Sequence, residues 1–205
     1  MIEQYFRFSE SQLAKIEQFY NIHVNAVLNV TAIKDKEDFY RKHVLDSFLL
    51  FTERQRILKS PVCDIGTGGG FPGIILAIMY PHIKFTLVDS IAKKCKFVED
   101  AARELGLNNV EVIVSRAENI KDRKFATILS RGVAKTAEIL KYTEKLADKK
   151  TVWVLYKGEN AEAELHASKI IIVKKHLEWE NVRYDTPIQR TYTVLFNSDD
   201  DSRLF

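Results

Sequence analysis

Residues 64–73 read Asp-Ile-Gly-Thr-Gly-Gly-Gly-Phe-Pro-Gly. An apolar run with β character precedes them at 62–65, and an apolar run with helical character follows. Glycine adopts positive φ without strain and lets a ligand approach the main chain closely. In doubly wound sheets, ligands bind beyond the carboxyl ends of the strands, at the loop that leads into the next helix. The stretch therefore predicts such a sheet, with a ligand site beside the glycines.

Short β-rich runs alternate with helical runs along the rest of the chain. The predicted strands are residues 62–65, 83–88, 110–114, 125–129, 152–156, 170–173 and 192–196. This alternation favours βαβ units and a mostly parallel sheet. No helical pattern separates the last two runs, so we expect an antiparallel pair there, joined through the polar segment 181–189. The predicted fold class is α/β, a doubly wound, mostly parallel, seven-stranded sheet.

Two helical patterns precede the first predicted strand. Residues Ser9 to Gln12 have the pattern of a capping box, and apolar residues recur behind them at helical spacing. A second helical pattern follows Lys36. No repeat, low-complexity segment or Pro/Gly-rich linker divides the chain. We therefore expect one domain over 1–205, with N-terminal helices in 1–59 and a Rossmann-like core in 60–205.

Composition is that of an ordinary globular protein, with 205 residues, 46% of them hydrophobic, and a formal net charge of +3. The longest apolar run, 74–80, is too short to span a bilayer, and the N-terminus has no signal-peptide pattern, so we expect a cytoplasmic protein. Cys63 and Cys95 lack metal-ligand spacing, and no metal is expected. Short basic clusters, offset in the sum by the acidic residues 199–201, permit a nucleic-acid partner.

The acidic residues near the glycines indicate which ligand binds. The loop formally satisfies the dinucleotide pattern G-x-G-x-x-G, but Asp64 would then lie close to an anionic pyrophosphate. Near the ammonium group of a methionine moiety, the same carboxylate is favourable. Asp89 ends the second predicted strand, where a carboxylate can accept both ribose hydroxyls, and Ser90 can cap the next helix by itself. This pattern favours S-adenosylmethionine over a dinucleotide.

Further motifs follow in a fixed order along the chain. They are Asn-Val-Thr-Ala-Ile at 29–33, Arg-Lys-His-Val-Leu-Asp-Ser at 41–47, Leu-Val-Asp-Ser at 87–90, Ser-Arg-Ala-Glu at 115–118, Ser-Arg-Gly-Val-Ala at 130–134 and Tyr-Lys-Gly at 156–158. With the glycine loop, they resemble the RsmG (GidB) family of bacterial small-subunit (16S) ribosomal RNA guanine-N7 methyltransferases. Gly69 and Gly132 depart from the family pattern, and both remain small residues.

The resemblance implies a class I methyltransferase fold that uses S-adenosyl-L-methionine to methylate N7 of a guanine in 16S ribosomal RNA. It also implies that Gly66 and Phe71 line the cofactor site, that Ala117 and Glu118 border the adenine, and that Arg131 touches the cofactor region. The full set of predicted cofactor-binding residues is Asp64, Gly66, Gly68, Gly70, Phe71, Asp89, Ala117, Glu118 and Arg131.

Methyl transfer to guanine N7 needs no general base, because N7 has a lone pair and no proton to lose. Proximity and alignment then supply most of the rate. Candidates for positioning the substrate are His43, Asp46, Arg131 and Lys157. His43 and Asp46 are three residues apart on one helical face. They form either a lid over the substrate or a structural polar pair, and only the resemblance favours the lid.

The expected partner is ribosomal RNA or the small ribosomal subunit, and we expect a monomer. Candidate phosphate contacts are Lys93, Lys94, Arg116, Arg123 and Lys135. Two other enzyme classes stay open, a small-molecule methyltransferase and an NAD-dependent oxidoreductase. An RNA-binding module without catalysis would need neither the glycine loop nor Asp89.

Overall fold

The computed structural model describes residues 2–28 and 30–197. Its strands are Val62–Ile65 (β1), Phe85–Asp89 (β2), Val110–Val114 (β3), Thr127–Arg131 (β4), Val152–Lys157 (β5), Leu177–Tyr184 (β6) and Arg190–Asn197 (β7). Asn29 of the 29–33 motif and the acidic residues 199–201 lie outside the described residues.

The strands form one sheet in the order β3-β2-β1-β4-β5-β7-β6. Strands β1 to β5 pair in parallel, whereas β7 runs antiparallel between β5 and β6. The order reverses at β1, which pairs with β2 on one side and β4 on the other. This arrangement confirms the doubly wound, mostly parallel sheet and its antiparallel edge.

Helices cover the sheet. They are Glu10–Val24 (α1), Lys36–Phe39 (α2), Asp46–Glu53 (α3), Gly73–Met79 (α4), Ala92–Glu104 (α5), Thr136–Tyr142 (α6), Ala161–Ala167 (α7) and Lys169–Lys174 (α8). A π-helical segment, Tyr40–Leu45, joins α2 to α3, and short 3₁₀ turns lie at Ile2–Gln4, Gln55–Ile57, Ala117–Asn119 and Glu144–Leu146. Within the described ranges, no helix has the length and apolar character needed to cross a membrane.

The prediction of a strand at 170–173 is wrong, because these residues lie in α8. Ile172 is buried, whereas Ile170 and Val173 on either side are 87% and 61% exposed. The sixth strand is instead β6, which includes residues 181–184 of the segment predicted as the connection. Its apolar residues alternate in two phases, Leu177 and Trp179 and then Val182 and Tyr184, so the alternation is interrupted at Asn181 and gives only a weak strand signal.

The N-terminal helices share their core with the sheet. Ser9 and Gln12 form the predicted capping box at the start of α1, and the Gln12 amide also donates to the carbonyls of Ile78 and Met79 at the end of α4. One cluster of buried apolar side chains contains Ile16 and Phe19 of α1 together with residues of α3, α4 and β2. This shared core supports the interpretation of a single domain.

Candidate active site

A cavity of about 440 Å³ lies at the carboxyl ends of the central strands, where the sheet order reverses. We call it the loop cavity, because residues of the glycine loop form one of its walls. Residues predicted from sequence that line it are Gly66, Gly68, Phe71, Asp89, Ala117, Glu118, Arg131, Lys94, Arg116 and His43. The structure thus brings most of the predicted cofactor residues to one place, and their roles stay predictions.

Backbone contacts and close packing shape the glycine loop. The Gly66 and Thr67 N–H groups both donate to the Val88 carbonyl at the end of β2, at 2.8 and 3.0 Å. Gly66 has φ of +71°, and a Cβ there would lie 2.2 Å from a methyl group of Val133. A side chain at Gly66 is therefore excluded both by the backbone conformation and by its neighbour.

Asp89 presents its carboxylate to the loop cavity. Its Oδ2 accepts from the Gly68 N–H at 3.0 Å, and its Oδ1 accepts from the Ile91 N–H at 2.9 Å. These contacts orient the group, and each oxygen retains a lone pair for a ligand. The prediction that Ser90 caps the next helix is wrong, because α5 begins after Ile91 without a side-chain cap.

Asp64 lies beneath the loop, not in the cavity wall. It is completely buried, and its Oδ2 accepts from the Gly73 N–H at the start of α4, at 3.0 Å. Its Oδ1 has no hydrogen-bond partner among the described residues. Burial raises the pKa of the Asp64 carboxyl to about 6. The predicted direct contact of Asp64 with a ligand therefore finds no support here, and Gly70 likewise does not line the cavity.

Phe71 joins the glycine loop to the helical segment above it. Its ring stacks on the His43 imidazole, with centroids 4.3 Å apart and planes 15° apart. The Arg131 guanidinium carbon lies 5.2 Å from the centre of the Phe71 ring. Phe71 is only 4% exposed, so it belongs both to the core and to the cavity wall.

The hydrogen bonds of His43 define its tautomer. Arginine only donates hydrogen bonds, so the His43 Nδ1 accepts from Arg131 Nη2 at 3.2 Å. The proton then resides on Nε2, which donates to the Thr31 hydroxyl at 2.7 Å. Burial, and then the charge of Arg131, lowers the pKa of His43 to about 3. The imidazole is therefore neutral at physiological pH.

Asp46 is completely buried and is held by two arginines. Arg131 Nη1 donates to Asp46 Oδ2 at 3.0 Å, and Arg190 donates from Nε to Oδ1 and from Nη2 to Oδ2, the latter at 2.8 Å. A carboxylate in this clamp cannot swing over a substrate. It is also not paired directly with His43, because Arg131 lies between the two side chains.

Arg190 is absent from the sequence predictions. Its contact with Asp46 spans 144 positions along the chain, and no local pattern connects the two residues. The only available signal was an aspartate among the apolar residues of a helix, since a buried carboxylate requires a partner. This observation predicts that a cationic side chain pairs with Asp46, but it does not identify that residue.

A second cavity of about 570 Å³ adjoins the first. Both cavities are lined by His43, Arg131 and Gly132, and the second is also lined by Tyr156, Lys157, Glu164 and Arg190. Lys157 is 9% exposed, and its Nζ donates to the Ala134 carbonyl at 3.0 Å and to Glu164 Oε2 at 2.7 Å. The two cavities share a wall built from predicted substrate-positioning residues.

The predicted phosphate contacts do not all lie on one side of the sheet. Lys94 and Arg116 line the loop cavity, and the exposed Lys93 and Lys135 follow β2 and β4 at the same edge. Arg123 precedes β4 and lies at the opposite edge, where it forms a two-bond ion pair with Glu111. Its predicted place among the RNA contacts is therefore not supported.

The cysteines are buried, and burial raises the pKa of the thiols of both Cys63 and Cys95. The part of the chain that the structure describes contains no group of three or more histidine, cysteine, aspartate or glutamate side chains that could hold a metal ion.

Comparison with known proteins agrees with this geometry. Residues 12–190 match the GidB family, described as rRNA small subunit methyltransferase G. The chain belongs to this family. It is 37% identical over 173 residues to the ribosomal RNA small subunit methyltransferase G of Mycoplasma capricolum, covering 82% of this chain and 74% of the relative. The corresponding protein of Porphyromonas gingivalis is 44% identical over 149 residues, covering 71% of this chain and 67% of that relative.

Solved structures show the same fold at low sequence identity. A S-adenosylmethionine-dependent methyltransferase from Aquifex aeolicus superposes with a TM-score of 0.57 at 19% identity, covering 78% of this chain and 93% of that one. A ribosomal protein L11 methylase from Lactobacillus delbrueckii superposes with a TM-score of 0.59 at 13% identity, covering 76% of this chain and 78% of that one. The GidB chain thus has the Rossmann-like fold of these methyltransferases.

Proposed function

We propose that this GidB-family protein transfers a methyl group from S-adenosylmethionine to N7 of a guanine in small-subunit ribosomal RNA. The names of its relatives, ribosomal RNA small subunit methyltransferase G, support ribosomal RNA as the substrate class. The structural observation that carries the proposal is the pair of adjoining cavities that share His43 and Arg131. One cavity can hold a cofactor while the other holds the base that receives the methyl group.

The loop cavity fits the cofactor in size and chemistry. Its volume of about 440 Å³ lies within the range of roughly 300–1,000 Å³ usual for small-molecule sites. The Asp89 carboxylate is oriented to accept ribose hydroxyls, and Ala117 and Glu118 border the place proposed for the adenine. When bound, S-adenosylmethionine supplies a methyl group on a positively charged sulfonium.

Asp64 has a different role in the proposal from the one its sequence position predicts. It holds the first helical N–H of α4 and thereby positions the loop. When ionised, its buried carboxylate also places a negative charge beneath the loop, which favours a cationic ligand.

The residues between the cavities position the substrate and transfer no proton. His43 is neutral, with Nδ1 bonded to Arg131 and Nε2 to Thr31. Asp46 holds Arg131 in place from the other side. Guanine N7 has no proton to lose, so a rigid wall that aligns the base serves the reaction better than a general base.

The basic residues at the carboxyl edge of the sheet contact RNA in this proposal. Lys94 and Arg116 line the loop cavity, and the exposed Lys93 and Lys135 follow β2 and β4 at the same edge. We expect these four residues to contact phosphates beside an unpaired target base. We further propose that the protein acts as a monomer in the cytoplasm, where its ribosomal substrate would be assembled.

Three measurements test the function. Purified protein incubated with S-adenosylmethionine and small-subunit ribosomal RNA, free or as a particle, should produce N7-methylguanosine at one position. That position should lose its modification in cells without the protein. Calorimetric titration should show binding of S-adenosylmethionine and no binding of NAD. Binding of NAD alone would favour the oxidoreductase alternative, and methylation of small molecules but not of RNA would contradict the RNA substrate.

A further inference from the structure

Lys157 and Glu164 place opposite charges side by side in the second cavity. Lys157 ends β5 and Glu164 lies on α7, and their charged atoms are 2.7 Å apart. Both side chains line the cavity next to the wall that it shares with the loop cavity. Methyl transfer as such requires neither group, so their presence calls for another explanation.

Each of the two groups keeps hydrogen-bonding capacity. The Lys157 ammonium has three N–H donors, of which one contacts the Ala134 carbonyl and one contacts Glu164. Glu164 Oε2 accepts from Lys157 and from the N–H and hydroxyl of Thr136, the latter two at 3.2 and 3.4 Å. Among the described residues, Oε1 accepts no hydrogen bond, and the Glu164 side chain is 25% exposed.

We propose that this pair selects guanine as the base that enters the second cavity. Glu164 Oε1 accepts from the N1–H and the exocyclic N2–H of the base, while the remaining Lys157 N–H donates to O6. The inference rests on the proposed function and names the residues that give it base specificity. These contacts leave N7 uncovered, as a methyl acceptor requires.

Charge complementarity explains why the pair would discriminate between purines. Guanine offers two adjacent donors and one acceptor on this edge, which match a carboxylate beside an ammonium. Adenine has an acceptor at N1 and a donor at N6, so each of its groups would face a group of the same kind. A site with buried polar groups rejects a base that leaves them unpaired, and mispaired contacts contribute to specificity as much as matched ones.

Glu164 also has a structural role, since it contacts Lys157 and the start of α6. The substitution Glu164→Gln separates the two roles. The glutamine carbonyl oxygen can replace Oε2 and keep the contacts with Lys157 and Thr136. The amide NH₂ then replaces Oε1 and turns a donor toward the donors of guanine. The control is Glu162→Gln, the same change on the same helix at an exposed residue that accepts a hydrogen bond from the Asn181 amide.

The test measures kcat/KM for methylation of small-subunit ribosomal RNA that carries either guanosine or inosine at the modified position. Inosine lacks only the exocyclic amino group. The wild-type protein and Glu162→Gln should prefer guanosine by roughly 10-fold or more. For Glu164→Gln, the kcat/KM with guanosine should be roughly 10- to 100-fold lower than that of the wild-type protein. This variant should show little preference between the two bases. Its melting temperature should stay near that of the wild-type protein.

The outcomes are separable. A wild-type protein that methylates no RNA contradicts the proposed function itself. A wild-type protein that methylates guanosine and inosine equally overturns only the inference about Glu164 and Lys157. This comparison uses the wild-type protein alone, so it does not depend on whether a variant folds. A folded Glu164→Gln protein that keeps the full preference for guanosine also overturns it, because Glu164 would then be only a structural contact.

Discussion

The ends of β1 and β2 each carry an aspartate, and the two carboxylates have different surroundings. Asp64 is completely buried beneath the glycine loop, whereas Asp89 lines the cavity above it. The sheet register explains the difference, because Asp64 pairs with Leu87 and Asp89 therefore lies two positions further toward the carboxyl edge. An offset of two residues along the strand decides whether the carboxylate lies beneath the loop or faces the cavity.

Asp46 extends the comparison to a second fully buried carboxylate. Its oxygens are bonded to Arg131 and Arg190, whereas Asp64 accepts the backbone N–H of Gly73 and no arginine or lysine of the described residues is bonded to it. The fold thus neutralises one buried carboxylate with cations and leaves the other with a raised pKa.

The largest effect is expected for Asp46→Ala. Removing one partner from a buried ion pair leaves Arg131 and Arg190 uncompensated, so the free energy of unfolding should fall by about 3–5 kcal/mol. Chemical denaturation followed by circular dichroism measures this loss. Methylation should fall with it, because Arg131 loses its position. A variant that retains its stability while methylation disappears would restore the interpretation of Asp46 as a lid over the substrate.

Asp89→Ala tests the carboxylate that faces the cavity. A hydrogen bond to a charged group contributes about 1.5–3 kcal/mol, so affinity for S-adenosylmethionine should fall roughly 10- to 100-fold. Isothermal titration measures the change. Asp64→Asn is the comparison and should lower affinity less, since Asp64 does not line the cavity and acts on the ligand only through its charge beneath the loop. If Asp64→Asn weakened binding as strongly as Asp89→Ala, the distinction between the two strand ends would fail.

Asp64→Asn should change the pH dependence of stability. The pKa of the carboxyl is about 6 in the folded protein and near its ordinary value of 3.8 in the unfolded chain, so the native protein binds more protons between these pH values. Wild-type stability therefore decreases as pH rises through about 6. Asparagine does not ionise, so the variant avoids the free-energy cost of a buried charge. Its free energy of unfolding should be higher than that of the wild-type protein by about 1–3 kcal/mol at about pH 8.

The advantage of Asp64→Asn should shrink at about pH 5, where the wild-type carboxyl is protonated. Melting curves at both pH values measure it. The exposed Asp185→Asn serves as the control and should leave the pH profile of the protein unchanged. An Asp64→Asn advantage that is the same at both pH values would show that the buried carboxyl does not titrate in this range.

The smallest effect compares the two edges of the sheet. Arg116→Ala removes a cation beside the loop cavity, and the salt dependence of RNA binding should fall by about one unit in the log–log slope. Arg123→Ala removes an arginine from the opposite edge and should leave that slope unchanged. Fluorescence anisotropy over a range of salt concentrations measures both. Equal effects would show that RNA reaches both edges.

Local sequence was sufficient for the framework of the fold. Residues 62–65 and 110–114 are strands at the predicted bounds, because both segments contain valine and isoleucine, which favour strands. The glycine loop was predictable because positive φ and close packing leave few other residues possible at positions such as Gly66. The edge strand β6 was missed, since its apolar alternation changes phase at Asn181 and each half is too short to indicate a strand by itself.

The sequence by itself determined the family motifs, the glycine loop and the central parallel strands, since these depend on contacts and conformations within a few residues of each other. Only the tertiary structure decided that Arg190 clamps Asp46, that Glu164 lies beside Lys157 in the second cavity, and that Asp64 lies beneath the loop. Sheet register and the packing of distant segments set these side-chain positions, and neither leaves a signal in local periodicity.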